Sequence, residues 1–391
     1  MPWKETTVLT ERLEFVQLAL VPGANVSELC ERFGISRKAG YKWIARFKES
    51  GKAGLEDHSR RPRSSPVKTT ERIEEQIMAL RAKHPAWGAR KLRRRLQDQG
   101  HQGLPAASTI TEILRRHGQL SSPRAGQPRD WQRFEHPAPN DLWQMDFKGH
   151  FPLTRSGQCH PLTILDDHSR YSLCLQACGN ECHATVESQL IRVFRQYGLP
   201  RRMTMDNGPP WGYHDGKAWT ALGVWLVRLG VRVSHSRPFH PQTQGKDERF
   251  HRTLKLEVLA GRSYCSLEDC QRSFDPWRTT YNCERPHEGI GLATPASRYS
   301  CSGRSYPEVL PSIEYARDVM ARKVTKGAVS FQGHQVRVGE AFDGQPVGVR
   351  ATPTDGVFEV RYCHQRLGQF DLREPLEPDR KTHVLSPIPR D

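Results

Sequence analysis

Apolar positions recur every three to four residues at Leu9, Leu13, Val16 and Leu20, the stripe of an amphipathic helix. The stretches "NVSELCERFG" and "ISRKAGYKWIARFKES" follow. Asn25 and Ser36 suit helix N-caps, because their side chains can accept from the free N–H groups of a first turn. Gly34 suits the tight turn between the two helices, and Tyr41, Ile44 and Phe47 are expected to face inward on the second. Helix, short turn with glycine, then basic helix is the helix-turn-helix plan. Arg37, Lys38 and Lys42 then point outward near the start of a recognition helix. A plain three-helix bundle with a solvated basic face gives the same pattern.

Residues 70–118 repeat this logic. Ile73, Ile77 and Leu80 form one stripe and Leu92 and Leu96 another, with "ARKLRRRL" presenting Arg90, Lys91 and Arg94 to a phosphate backbone. In "ASTITEILRRHG", Ser108 suits a cap, and Ile110, Ile113 and Leu114 face inward. Two basic helical modules in tandem favour DNA binding over either alone, since their contacts can be summed on one long site.

From residue 140 the period shortens to that of strands. "LWQMDFKGHF", "HPLTILDDHS" and "YSLCLQAC" are consecutive β-like runs separated by turn residues. A helix over 182–197, a strand "RRMTMD", a helix over 217–229, a strand "VRVSHS" and helices over 242–259 and 266–282 complete the block. Three antiparallel strands followed by alternating helices and strands predict an α/β domain with a mixed sheet. The tail, with "AVSFQGHQVRVG", "PVGVRA", "FEVRYC" and "RLGQFDL", reads as a small β-barrel or sandwich. Pro-, Ser- and Arg-rich stretches at 54–70, 118–140 and 296–312 have linker compositions. The chain is therefore read as multidomain. Two all-α helix-turn-helix modules (1–53 and 70–118) precede an α/β core (137–300) and a β-rich domain (313–380).

Charge adds a partner to this outline. The net charge is +16, and residues 1–136 hold 26 Lys and Arg against 15 Asp and Glu, so most of the excess falls in the first third. A polyanion fits, because each phosphate neutralised releases condensed counterions. Ribosome association or a merely basic surface would give the same number. With no run of about 18 apolar residues and no signal-peptide core, no membrane is expected and the location is expected to be cytoplasmic. The ten cysteines are scattered; Cys174, Cys178 and Cys182 recur every fourth residue without a CxxC pair and read as thiols.

Three acids stand where an α/β site would be built. Asp146 follows an apolar strand, Asp206 ends another before an Asn-Gly turn, and Glu248 lies on a helix. Such acids can converge at the carboxyl edge of a sheet. They repel one another unless cations bind between them, and Mg²⁺ prefers carboxylate and phosphate oxygens. Asp166 and Asp167 are read as structural or supporting groups beside Arg170, and Asp141 and Asp215 as solvated.

The runs "DLWQMDFKG", "LTILDDHSRY", "TMDNGPPWG", "HPQTQGKDERFHRTLK" and "YNCERPHEGIGLATPASRY", in this order over 137–300, closely resemble bacterial insertion-sequence transposases with an integrase core of the DDE type. The resemblance implies a ribonuclease H-like core with Asp146, Asp206 and Glu248 as the catalytic, metal-binding triad. It implies two Mg²⁺ ions, with Mn²⁺ as a substitute, nicking at the ends of a mobile element and strand transfer into target DNA. Its substrates are double-stranded terminal inverted repeats and a target duplex. A homo-oligomer bridging two ends is expected, and no ATP, since there is no GxxxxGK[ST] loop.

In "GKDER" the acid that matches is Glu248. Gln244, His251, Arg252 and Lys255 share its helical face, and Lys246, Arg249, Arg252 and Lys255 are candidates to hold phosphate. Asp247, turned about 100° away, is expected to be solvated or paired. Asn207 is placed to orient Asp206, and Asp167 to support the site. The interval from Asp206 to Glu248 is longer than the family's, which leaves any DNA contact by Trp211 or Tyr213 open. A non-catalytic helix-turn-helix regulator and a structure-specific nuclease of the same core fold are the alternatives.

Overall fold

A computed structural model of the chain describes residues 7–57, 69–120, 135–206, 208–212, 219–235, 245–374 and 382–386. These fall into two compact units, Met1–Lys68 and Thr69–Asp391.

The first unit contains α1 (Val8–Ala19), α2 (Val26–Arg32) and α3 (Arg37–Ser50), closed by a 3₁₀ turn at Gly51–Leu55. Asn25 caps α2 by accepting from the Ser27 and Glu28 N–H groups, and Ser36 caps α3 through Ala39 N–H. Gly34 takes φ +63° in the turn between them, a conformation glycine adopts without strain. Phe15, Val16, Cys30, Trp43, Ile44 and Leu55 form the core. Gly40 lets α3 cross close to its neighbours: a Cβ there would lie 2.5 Å from Cys30 Sγ and 2.9 Å from Phe15 Cζ. One expectation fails here. Tyr41 is 58% exposed, and Trp43 takes the inward place. The buried stripe runs Gly40, Trp43, Ile44 and on to Phe47, and Tyr41 lies about 100° from Gly40.

The second unit opens with α4 (Glu71–Lys83), α5 (Ala89–Asp98) and α6 (Ala107–Arg116) around Ile77, Leu80, Trp87, Leu92, Leu96, Ile110, Ile113 and Leu114. The cap of α6 is Ala106, with no side-chain bond, so Ser108 lies inside the first turn instead of capping it.

A mixed sheet follows, with β1 (Trp143–Phe147), β2 (Phe151–Pro152), β3 (Gln158–Asp166), β4 (Ser172–Cys178), β5 (Arg202–Met205) and β6 (Arg232–His235). Strand order is β2-β3-β1-β5-β6, with β4 also on β3. Pairing is antiparallel among β1, β3 and β4 and parallel for β1–β5 and β5–β6. Helices α7 (His183–Tyr197), α8 (Ala221–Arg228), α9 (Gly245–Leu254) and α10 (Leu267–Cys283) accompany it, and α9 continues as a π-helical turn, Lys255–Leu259. Helix α8 is apolar on two sides. Leu222 and Leu226 enter the core of the mixed sheet, while Val224 and Val227 enter that of the β-rich tail.

Helix α10 seals the outer side of β4 with side-chain amides. Asn282 Oδ1 accepts from Ser172 N–H at 2.8 Å, and its Nδ2 donates to Ser172 O at 3.0 Å. Gln271 Oε1 accepts from Ala177 N–H, Gln271 Nε2 donates to Leu175 O, and Arg278 donates to Leu173 O. A bare row of strand N–H and C=O groups invites pairing with another chain, and these side chains occupy it. Because Ser172 and Asn282 are both buried, Asn282→Leu orphans two backbone groups. It is expected to cost about 3 kcal/mol in denaturant unfolding.

The tail has β7 (Met320–Lys323), β8 (Ala328–Phe331), β9 (His334–Arg337), β10 (Pro346–Ala351), β11 (Val357–Tyr362), β12 (Gln365–Asp371) and β13 (His383–Val384). They make a four-stranded sheet, β12-β11-β10-β7, and a three-stranded one, β13-β9-β8, around Phe331, Phe342, Tyr362 and Phe370. Among the described residues this is a pair of open sheets and not a closed barrel. The stretch at 296–312 is not a loose linker. Arg304 donates to Pro200 O, Leu229 O and Gly230 O, Ser302 N–H donates to Tyr197 O, and Arg195 pairs with Glu308. Gly198 (φ +77°) lets this strap pass, since a Cβ there would lie 2.7 Å from Ser302 O.

Candidate active site

Two of the three acids are brought together by strand register. β1 and β5 run parallel with Trp143 opposite Met203 and Gln144 opposite Thr204. Asp146 and Asp206, each three residues beyond Trp143 and Met203, therefore sit at equivalent places at the same edge. Burial, reinforced by repulsion from Asp206, pushes the Asp146 carboxyl up to about 7. Two carboxylates facing one point are a donor set for a hard divalent cation, whose charge would relieve that repulsion.

Helix α9 lies against this edge. Thr163 Oγ1 donates to Asp146 O at 2.9 Å and lies 2.8 Å from His251 Nε2. The threonine proton is already committed, so His251 Nε2–H is the donor of the second bond. That leaves Nδ1 with its lone pair, 4.0 Å from Asp146 Oδ2. Burial pushes His251 down to about 3, and Lys148 adds to the shift, so the imidazole is neutral beside the carboxyls. Glu248, one turn before His251, is exposed. Among the described residues no group of three or more His, Cys, Asp or Glu is gathered closely enough to hold a metal. The structure thus brings Asp146 and Asp206 together and leaves Glu248 outside a closed cluster with them.

The expectation for Asp247 is overturned. It is 1% exposed, and neither carboxylate oxygen has a hydrogen-bond partner among the described residues. Burial raises its pKa well above the usual carboxylate range, and Asp146 and Asp167 add repulsion that Lys246 only partly offsets. The cause is position: Asp247, Phe250 and Leu254 are the i, i+3, i+7 stripe by which α9 packs inward. That stripe is visible in "KDERFHRTL", and the eye is misled by the charge of its first member.

Asp166 and Asp167 are structural anchors. Asp166 is buried and accepts from Asn140 N–H, Ser169 N–H and Ser169 Oγ. Asp167 accepts from Gln144 Nε2 and His136 N–H and pairs closely with Lys246. Lys246 is therefore tied into the protein, whereas Arg249 and Arg252 on α9 and Lys255 at the start of the π-helical turn are exposed. Gln244 and Asn207 lie outside the described residues, as do Tyr213 and Asp215. Trp211 is buried against Phe147, with ring centroids 5.4 Å apart, which removes it from the candidates for DNA contact. Cys174 and Cys178 are buried thiols, while Cys182 is exposed.

On the helical modules, Arg37, Lys38 and Lys42 are exposed on α3, and Arg90 is exposed on α5. Arg94 is paired with Asp98 at 2.7 Å. Lys91 does not face outward as expected. Burial pushes its ammonium down to about 8, with Arg285, Glu288, Glu257 and Arg249 around it. Its neighbour Arg95 bonds Glu284 at 2.9 Å. One side of α5 is thus spent on docking the module to the region of α10. Leu92 and Leu96 mark the inward side in the sequence, but no local signal distinguishes the docked basic side from the free one.

Known families match the chain in five places. A Homeodomain-like domain matches residues 39–114 and a Helix-turn-helix domain 11–63. Two Integrase core domain families match 136–241 and 229–295, and the IS481 family transposase, C-terminal domain, matches 319–377. The chain is 25% identical over 248 residues to the Insertion element IS476 uncharacterized 39.2 kDa protein of Xanthomonas euvesicatoria, covering 62% of this chain and 69% of that one. It is 24% identical over 159 residues to the Insertion element IS407 uncharacterized 31.7 kDa protein of Burkholderia multivorans, covering 41% and 55%. Among solved structures, a chain of the simian T-cell lymphotropic virus intasome in complex with PP2A regulatory subunit B56 gamma is similar with a TM-score of 0.36 and 15% identity. It covers 74% of this chain and 97% of that one. The HTLV-2 integrase catalytic core domain in complex with magnesium gives 0.30 and 15%, covering 41% and 97%.

Proposed function

We propose that the chain is a transposase of the insertion-sequence kind built on an integrase core, and that it nicks the ends of a mobile element and joins them to target DNA. The observation that carries this reading is the equivalent placement of Asp146 and Asp206 on adjacent parallel strands, with α9 laid across their edge. In this proposal Asp146, Asp206 and Glu248 hold two Mg²⁺ ions, which Mn²⁺ can replace. The ions supply Lewis-acid polarisation of a phosphodiester and charge compensation for its attacking and leaving oxygens.

The protein's own groups prepare that chemistry. Neutral His251 holds Thr163, and through it the Asp146 backbone, without bringing a competing cation to the carboxyls. Arg249 and Arg252 on the exposed side of α9 beside Glu248, with Lys255 on the π-helical turn that continues it, bind backbone phosphate. Lys246 fixes the start of α9 to Asp167, a positioning role rather than a phosphate contact. Gln244 and Asn207 keep their proposed roles, as a DNA contact and as the group orienting Asp206. Arg37, Lys38 and Lys42 on α3, with Arg90 and Arg94 on α5, grip the double-stranded terminal repeats, and a homo-oligomer brings two ends together. Domain limits are proposed at 1–53, 70–118, 137–300 and 313–380. No helix among the described residues is long and apolar enough to cross a membrane. A cytoplasmic location, with the protein at the nucleoid when bound to DNA, is part of the proposal, as is independence of ATP.

The test is to incubate the full-length protein with either uncut or pre-cut element ends, together with supercoiled plasmid and Mg²⁺. Covalently joined products are expected. Cleavage of uncut ends without joining would point to a nuclease of the same core, and binding with neither reaction to a regulator.

A further inference from the structure

The outward side of α3 carries Arg37, Lys38, Tyr41, Lys42, Ala45 and Lys48, all exposed. Four cations on one helix face fit a phosphate backbone, but they do not account for the aromatic ring among them. Tyr41 is 58% exposed, one turn beyond Arg37 and Lys38 and one turn before Ala45. Its neighbour Lys42 stays exposed while packing over the Trp43 ring, at 4.5 Å, where Arg12 and Arg46 also lie. The core does not use Tyr41 either, because Gly40, Trp43 and Ile44 fill the inward side. A broad apolar face is thus held in the middle of a basic stripe, in the first half of the second helix of a helix-turn-helix.

We propose that Tyr41 is a sequence-reading residue, which packs its ring against a thymine C5-methyl group in the major groove of duplex DNA. The inference rests on the DNA-binding reading of this unit and deepens it. An α-helix with its side chains is about 10–12 Å across and fits a groove about 12 Å wide. Within that groove the thymine methyl is the one apolar feature the base edges present, and phosphate contacts alone carry no sequence information. Arg37, Lys38 and Lys48 position the helix; the ring selects the base pair. Charge complementarity sets the partner: the face bears four cations before its first acid, Glu49, near the end of the helix.

The experiment uses the full-length protein and a pool of randomised duplexes. Wild type, Tyr41→Phe and Tyr41→Ala are each taken through selection, and the enriched sequences are resynthesised with deoxyuridine in place of each thymidine in turn. Uracil lacks only the methyl group. Wild type and Tyr41→Phe are expected to lose about fourfold in affinity at one thymine, the factor that burial of one methyl group carries. Tyr41→Ala is expected to show no loss at that position and no enrichment of thymine there, with unchanged thermal unfolding. The same enriched sequence and the same uracil penalties for Tyr41→Ala as for wild type overturn the role of Tyr41 while leaving DNA reading intact. If wild type enriches no sequence at all, both the role and the reading beneath it fail.

Discussion

Asp206→Asn is expected to abolish Mg²⁺-dependent cleavage of element-end DNA, by about a thousandfold or more, while leaving binding of the same DNA within about twofold. The substitution keeps the size of the side chain and removes a charge at the edge where β1 and β5 finish side by side. Asp206 is exposed, so stability should change little. Its loss also removes the repulsion that helps to raise Asp146, whose pKa should fall from about 7 toward the ordinary carboxylate range. Following the Asp146 carboxyl by NMR through a pH titration, alongside a gel assay of cleavage, checks both parts. Cleavage at the wild-type rate would remove Asp206 from the chemistry.

Asp247→Leu is expected to stabilise the protein by about 2 kcal/mol at neutral pH, an unusual outcome for changing a buried residue. Both carboxylate oxygens of Asp247 lie buried without hydrogen-bond partners among the described residues, and Asp146 and Asp167 repel its charge. The pH dependence has a definite sign. A carboxyl whose folded pKa is raised binds more protons in the folded state than in the unfolded one. Its contribution to stability is fully present below the unfolded value near 4, and is lost as pH rises toward the folded value. Wild type should therefore lose stability above pH 4 relative to Asp247→Leu, at up to about 1.4 kcal/mol per pH unit for this one group. Asp146, raised to about 7, adds a slope of the same sign between pH 4 and 7 in both proteins. His251, lowered to about 3, adds the opposite one, losing stability as pH falls from 6.5. The difference between the two proteins isolates Asp247. Guanidinium unfolding of both from pH 4 to 8 measures it; a destabilised variant with a parallel pH profile would show that the carboxylate has a partner.

Much of this was legible in the residues. Caps at Asn25 and Ser36, the turn at Gly34 and the apolar stripes of α4–α6 are local signals, and the structure uses each of them. The strands leading to Asp146 and Asp206 are recognisable by their alternation and turns, but their order in the sheet is not, because it depends on pairing between segments far apart in the chain. What escaped was set by packing between distant segments. Tyr41 and Trp43 are both large and aromatic, and only the close crossing at Gly40 decides which one turns inward. Residues 296–312 have a linker's composition, yet Arg304 finds three carbonyls, one 104 residues upstream at Pro200 and two at Leu229 and Gly230, 75 and 74 residues upstream. Lys91 reads as a phosphate contact until α10 is seen beside it. Asp247 shows the limit most clearly. Helical period places it inward, charge argues for outward, and period wins because Phe250 and Leu254 fix the rotation of α9.

Glu248, the exposed neighbour, is expected to complete the catalytic acids with Asp146 and Asp206, and buried Asp247 is not. Strand transfer of a pre-cut element end into plasmid, measured for Glu248→Gln and Asp247→Asn under identical Mg²⁺ conditions, decides it. Joined product from Asp247→Asn and none from Glu248→Gln is the predicted result; product from Glu248→Gln and none from Asp247→Asn would contradict it.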